Sequence, residues 1–186
     1  MQLLDELPML YSATIILFIL VEAKHGPQCR WFPLFLTAGI AITTFIFSTT
    51  GGQVQFYTFQ STYSVLQLLM IYYLRTLHVQ QRRLRPNPAV SVLIRRALAS
   101  ALLAVTIWLV DLRLCEFVNG VGPRSVLQWN PQLHAWWHVF SACALYHATM
   151  LIAYYHYDVR GQMPVVGKWM GVVPVIRLSG KGKAIQ

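Results

Sequence analysis

The sequence predicts an all-α fold, a polytopic membrane helix bundle with five transmembrane helices. Three observations carry that expectation. The 186 residues are 56% hydrophobic and only 11% charged, against roughly 25% charged in a soluble domain, and the mean hydropathy is +0.49. Apolar stretches close to the roughly 20 residues that a helix needs to cross the hydrocarbon core recur along the chain. The basic residues fall in the gaps between those stretches and sort onto one side.

The first span covers about residues 3–22 and the second about 31–50, closed by Gly51-Gly52. The third covers about 54–74, the fourth about 97–114 and the fifth about 133–155, followed by a tail over 156–186 with an apolar patch after Met163-Pro164 and a basic end. With no repeat and no composition break, residues 1–186 read as a single membrane domain. Acidic Asp5 and Glu6 stand where a signal peptide would carry basic residues, so the first stretch reads as a span rather than a leader.

Orientation follows from counting cations. Lys24, Arg30, Arg75, Arg82, Arg83, Arg85, Arg95, Arg96, Arg160, Lys168, Arg177, Lys181 and Lys183 lie on one side of a five-span topology, and only Arg113 and Arg124 on the other. The positive-inside rule puts the crowded side in the cytosol, the N-terminus in a lumen or exterior, and the C-terminus in the cytosol. The same distribution speaks against nucleic acid as the partner of a chain with a net charge of +9, because the cations serve topology rather than one basic face. Cys29, Cys115 and Cys143 show neither CxxC spacing nor an even-numbered disulfide framework; Cys143 reads as packing.

Sorted by side, the polar residues gather at the luminal ends. Asp5 and Glu6 enter the first span there, Asp111 and Glu116 end the fourth, His134 and His138 open the fifth, and Tyr63 lies about two and a half turns into the third. Two histidines four apart share one helix face, and both rings can reach one zinc ion at roughly 2.0–2.1 Å. Ionisable groups at membrane depth are functional candidates. Plainer readings stand beside this one. Asp5 and Glu6 also suit a solvated helix start, Asp111 can pair with Arg113, Trp136 and Trp137 suit an interfacial aromatic belt, and His134 and His138 can form a hydrogen-bonded pair. The other histidines do not complete a site, since His25 and His78 fall on the cytosolic side and His147 lies half a turn around the helix from His138. Within this chain Asp5 or Asp111 is the candidate third ligand, and a catalytic zinc takes three protein ligands.

Several stretches resemble a known family. Met1-Gln2-Leu3-Leu4-Asp5-Glu6-Leu7-Pro8-Met9-Leu10-Tyr11-Ser12 is similar to the opening of the third helix of alkaline ceramidases. Trp108-Leu109-Val110-Asp111 with Cys115 resembles their sixth helix, Gln132-Leu133-His134-Ala135-Trp136-Trp137-His138 their seventh, and Gln60 with Tyr63 a weaker motif of the fifth. The resemblance implies a seven-helix membrane amidohydrolase of the endoplasmic reticulum or Golgi that splits ceramide, dihydroceramide or phytoceramide into a sphingoid base and a fatty acid. It implies that His134 and His138 are Zn2+ ligands, that Asp5 holds or deprotonates the attacking water, that Tyr63 hydrogen-bonds near the reacting centre, and that Asp111 is a buried support residue. In the family a third histidine ligand, a serine near the oxyanion and an acidic Ca2+-binding segment come before the Asp-Glu-Leu-Pro-Met stretch, and none of them is in this sequence. The expectation is an N-terminally truncated member carrying the last five of seven helices, impaired in catalysis. The alternative is a non-catalytic membrane remnant that binds sphingolipid or a partner.

Overall fold

The structure, a computed structural model, describes residues 3–26, 31–84, 86–118, 120 and 123–179, without the side chains of Leu3, Leu4, Asp5 and Leu84. Among the described residues five helices are followed by one antiparallel hairpin, and the contacts group into two compact units, Met1–Pro86 and Asn87–Gln186.

The first unit holds α1 (Leu3–His25), α2 (Trp31–Thr49) and α3 (Gly52–Leu84). Leu10, Ala13, Ile16, Leu17, Leu20 and Val21 of α1 recur at three- and four-residue steps and are buried against Phe47 of α2 and Phe59, Leu66, Met70 and Leu77 of α3. Tyr11 meets Thr44 across α1 and α2 at 3.2 Å, and Phe47 meets Phe59 at a ring distance of 6.1 Å. At the other end the Lys24 ammonium lies 5.0 Å from the Tyr72 ring centre and the His25 ring 6.0 Å from Tyr73. The helices therefore alternate in direction, and the C-terminal end of α1 shares a level with Tyr72 and Tyr73. Gly26 ends α1 with a φ of 74°, its N–H donating to the Glu22 carbonyl at 2.8 Å, a conformation that costs glycine nothing.

The second unit holds α4 (Pro88–Val118), α5 (Leu133–Val159), β1 (Pro164–Trp169) and β2 (Val173–Leu178). Asn87 caps α4: its Oδ1 accepts from the Ala89 N–H at 3.0 Å while Pro88 takes the first helical position. Its Nδ2 also donates to the Tyr154 hydroxyl at 3.2 Å, so α4 and α5 run antiparallel. Val90, Leu93, Leu151, Ile152, Tyr154 and Tyr155 form the core at this end.

Among the described residues three helical stretches, Glu6–His25, Trp31–Thr49 and Pro88–Val118, are long and apolar enough to cross a membrane. The helices α3 and α5 have the length, 33 and 27 residues, and interrupt their apolar runs with polar side chains. The large apolar residues that α3 and α4 leave exposed, among them Leu68, Leu98, Leu102 and Val105, suit a lipid rather than an aqueous surround.

Two expectations change in detail. The helices α3 and α4 run ten and nine residues past the ends read from the sequence, so the basic loop expected over 75–96 shrinks to the few residues around Pro86. Charge ends a hydrophobic span but not a helix, and no Gly or Pro occurs between Gly52 and Pro86. The tail carries the hairpin, with Trp169 paired to Val173 and Pro164 to Leu178. Its turn uses positive φ at Met170 (50°) and Gly171 (77°), the signature of a tight hairpin. Pro164 and Pro174 are buried towards α5, and the Tyr146 hydroxyl donates to the Pro174 carbonyl at 2.7 Å.

Candidate metal centre

The first turns of α5 and the last turns of α4 build the site. A compact connection joins them, organised on Ser125. The Ser125 hydroxyl oxygen accepts from the Gly120 N–H at 2.9 Å and the Leu127 N–H at 3.3 Å, and the Val126 N–H donates to the Phe117 carbonyl at 2.9 Å. Gly120 has a φ of 72°, and a Cβ there would fall 2.1 Å from the Trp129 carbonyl carbon, so only glycine fits. Gln132, at a φ of 53°, precedes α5 and donates its N–H to Asn130 Oδ1 at 2.9 Å. Glu116 pairs with Arg124 at 3.2 Å on the exposed surface.

This connection brings His134, His138 and Asp111 together. The two Nε2 atoms are 3.2 Å apart. Two nitrogens bound at 2.0–2.1 Å to one tetrahedral ion stand about 3.3–3.4 Å apart, so the pair already has the spacing that a shared cation requires. The same distance is that of a hydrogen bond between the rings, whose proton a cation would displace. On the far side of His134, Nδ1 lies 3.6 Å from Asp111 Oδ2. A carboxylate facing the distal nitrogen of a ligating imidazole fixes the ring's tautomer and orientation. Asp111 thus faces His134, not Arg113. Trp137 packs against both imidazoles, at ring distances of 5.1 Å and 4.3 Å, a contact that the aromatic-belt reading of the sequence did not include. Trp136 stays exposed and stacks on Phe140 at 6.1 Å.

The other residues picked out by the sequence are on other elements or other turns. Asp5 is in the first turn of α1, its side chain outside the described residues. Tyr63 is half-buried on α3, stacked on Phe59 at 5.4 Å with an interplanar angle of 11°. Both belong to the first unit, and the histidine pair to the second. The His147 ring donates through Nδ1 to the Cys143 carbonyl at 2.7 Å. Cys143 is exposed rather than packed, as is Cys115, and Cys29 lies outside the described residues. Among the described residues no three His, Cys, Asp or Glu side chains gather as a metal-binding group.

Comparison with known proteins gives the family. The model of the Ceramidase family matches residues 1–177. The alkaline ceramidase of Arabidopsis thaliana is 26% identical over 190 aligned positions, which cover 94% of this chain and 63% of that protein. Alkaline ceramidase 3 of Mus musculus is 25% identical over 186 positions, covering 98% of this chain and 67% of that protein. No solved structure matches. The chain spans about two thirds of the length of these curated relatives, and, matched by the family model over nearly all its residues, it belongs to the ceramidase family.

Proposed function

We propose that the chain carries the zinc-binding part of a membrane amidohydrolase that cleaves the amide bond of ceramide, dihydroceramide or phytoceramide. The observation that supports this reading best is the pair of Nε2 atoms 3.2 Å apart, with a carboxylate 3.6 Å from the Nδ1 of one ring. His134 and His138 hold the ion, and a third donor comes from outside the described residues. Bound zinc supplies Lewis acidity at the scissile carbonyl and makes water a nucleophile near neutral pH. Asp111 keeps His134 in the tautomer whose Nε2 lone pair faces the ion. Asp5 takes the proton of the attacking water and returns it to the amine nitrogen as the C–N bond breaks, and the Tyr63 hydroxyl donates to the oxygen that gains charge while the amide carbon is tetrahedral. The enzyme sits in the endoplasmic reticulum or Golgi membrane with its N-terminus luminal, so that the histidine pair opens at the luminal leaflet and meets a two-chain lipid laterally.

Zinc content and ceramide turnover of the purified chain in lipid nanodiscs test the proposal together. The wild type is expected to bind zinc with release of protons, and His134→Ala with His138→Ala to abolish binding. Zinc affinity that survives the double substitution overturns the metal assignment. Zinc lost without any effect on turnover separates the metal from the reaction and favours the lipid-binding alternative.

A further inference from the structure

Past its apolar stretch, α3 presents Tyr72, Arg75, Thr76, Val79, Gln80 and Arg83 along one face, and these side chains line an open groove of about 650 Å3. The steps of three and four residues align them over three turns. Arg75, Gln80 and Arg83 are exposed. The Thr76 hydroxyl turns away onto the Tyr73 carbonyl at 2.8 Å. A third cation arrives from α1, the Lys24 ammonium lying 5.0 Å and 5.2 Å from the Tyr72 and Tyr73 ring centres. No Asp or Glu is among the side chains that line the groove, so its charge, like that of the nearby Lys24, is positive.

Depth along the helix then identifies what balances them. The apolar span Glu6–His25 of α1 ends level with Tyr72 and Tyr73, so these two rings lie where interfacial aromatics belong and Arg75 begins the headgroup layer. Guanidinium groups bind phosphate oxygens in bidentate fashion. Arg75 and Arg83 are two turns apart, about 12 Å, with Val79 and Gln80 as the floor between them. That floor offers an apolar surface to a glycerol backbone and an amide to a phosphodiester. We propose that this groove binds the phosphate of an anionic membrane lipid between Arg75 and Arg83, with Lys24 at the rim.

Native mass spectrometry of the detergent-solubilised chain, titrated with phosphatidylglycerol or phosphatidylcholine, tests it. The wild type is expected to retain phosphatidylglycerol in preference to phosphatidylcholine. Arg75→Gln with Arg83→Gln should weaken phosphatidylglycerol about 25-fold, a factor of about five per cation at a membrane surface, and Arg75→Lys with Arg83→Lys, which keeps the charge and loses the guanidinium fork, should recover only part of that loss. Gln80→Glu, a change at an exposed position that spares the fold, should weaken it at least fivefold on its own. Arg95→Gln with Arg96→Gln removes the same charge from α4 and should leave binding within twofold. Equal retention of the two lipids, an equal loss in the α4 control, full affinity in Gln80→Glu, or displacement by millimolar inorganic phosphate would each overturn the proposal, the last by showing a solute site rather than a lipid site.

Discussion

Asp111→Asn isolates the carboxylate that faces His134. The substitution keeps the size and polarity of the side chain and removes its charge, 3.6 Å from His134 Nδ1. A full charge pair at that distance would be worth about 4–5 kcal/mol at an effective dielectric near 20, an upper bound here because a ligating imidazole is neutral. The His134 side chain is 58% exposed and Asp111 29%, so solvent screens much of that. What remains is the usual worth of a carboxylate behind a ligating imidazole, a 10–100-fold change in metal affinity, or about 1.4–2.7 kcal/mol. Competition of the purified chain against a zinc-sensitive fluorescent chelator at pH 7.5 reads it directly. Glu116→Gln serves as the control. Its partner is Arg124, the two side chains are 72% and 74% exposed, and such surface pairs contribute little. Zinc affinity in Asp111→Asn should fall tenfold or more and stay within twofold in Glu116→Gln. Should Asp111→Asn bind zinc as tightly as wild type while His138→Ala does not bind, the carboxylate has no part in the site and the geometry has been misread.

Three further outcomes are expected. Gly120→Ala sets a side chain at a φ of 72° against the Trp129 backbone and should lower stability by about 2–3 kcal/mol through strain and displacement; an unchanged melting temperature would contradict the tight α4–α5 connection. Tyr146→Phe removes the 2.7 Å bond to the Pro174 carbonyl at a cost of about 0.5–1.5 kcal/mol, so hydrogen exchange should quicken over residues 164–178 while helical content stays constant, and unaltered exchange there would refute the docking of the hairpin. Burial, with Arg82 second, holds the His78 pKa below its ordinary 6.5. The folded chain therefore binds this proton less readily than the unfolded one, and stability declines as pH falls from 6.5 towards the lowered value. His78→Gln should flatten that decline between pH 7 and 5, and an identical profile would show that the acid sensitivity lies elsewhere.

Much of the histidine site is visible in the residues themselves. Four-residue spacing puts His134 and His138 on one face whatever surrounds them, because the helix is the only way for such an apolar stretch to satisfy its backbone. The role of Asp111 is less visible. It stands 23 residues before His134, and only the geometry of the intervening connection, with Gly120 under Trp129 and Ser125 bonding across the loop, selects His134 over the nearer Arg113. Trp137 is similar: its type suits a membrane interface, yet its ring lies against both imidazoles. The hairpin leaves a signal in its β-branched residues, Val165, Val166, Val172, Val173, Val175 and Ile176, which the reading of an apolar patch passed over.

By itself, the sequence determined the class of molecule, the start of each apolar helix to within a few residues except that of α4, and the pair of imidazoles, since composition and periodicity act residue by residue. Tertiary structure alone decided which partner Asp111 meets and where the tail goes. Buried Leu77, Val90 and Leu93 hold the basic segments helical, and the Tyr146 hydroxyl holds the hairpin to α5. Contacts of that kind join residues far apart in the chain, and no local pattern encodes them.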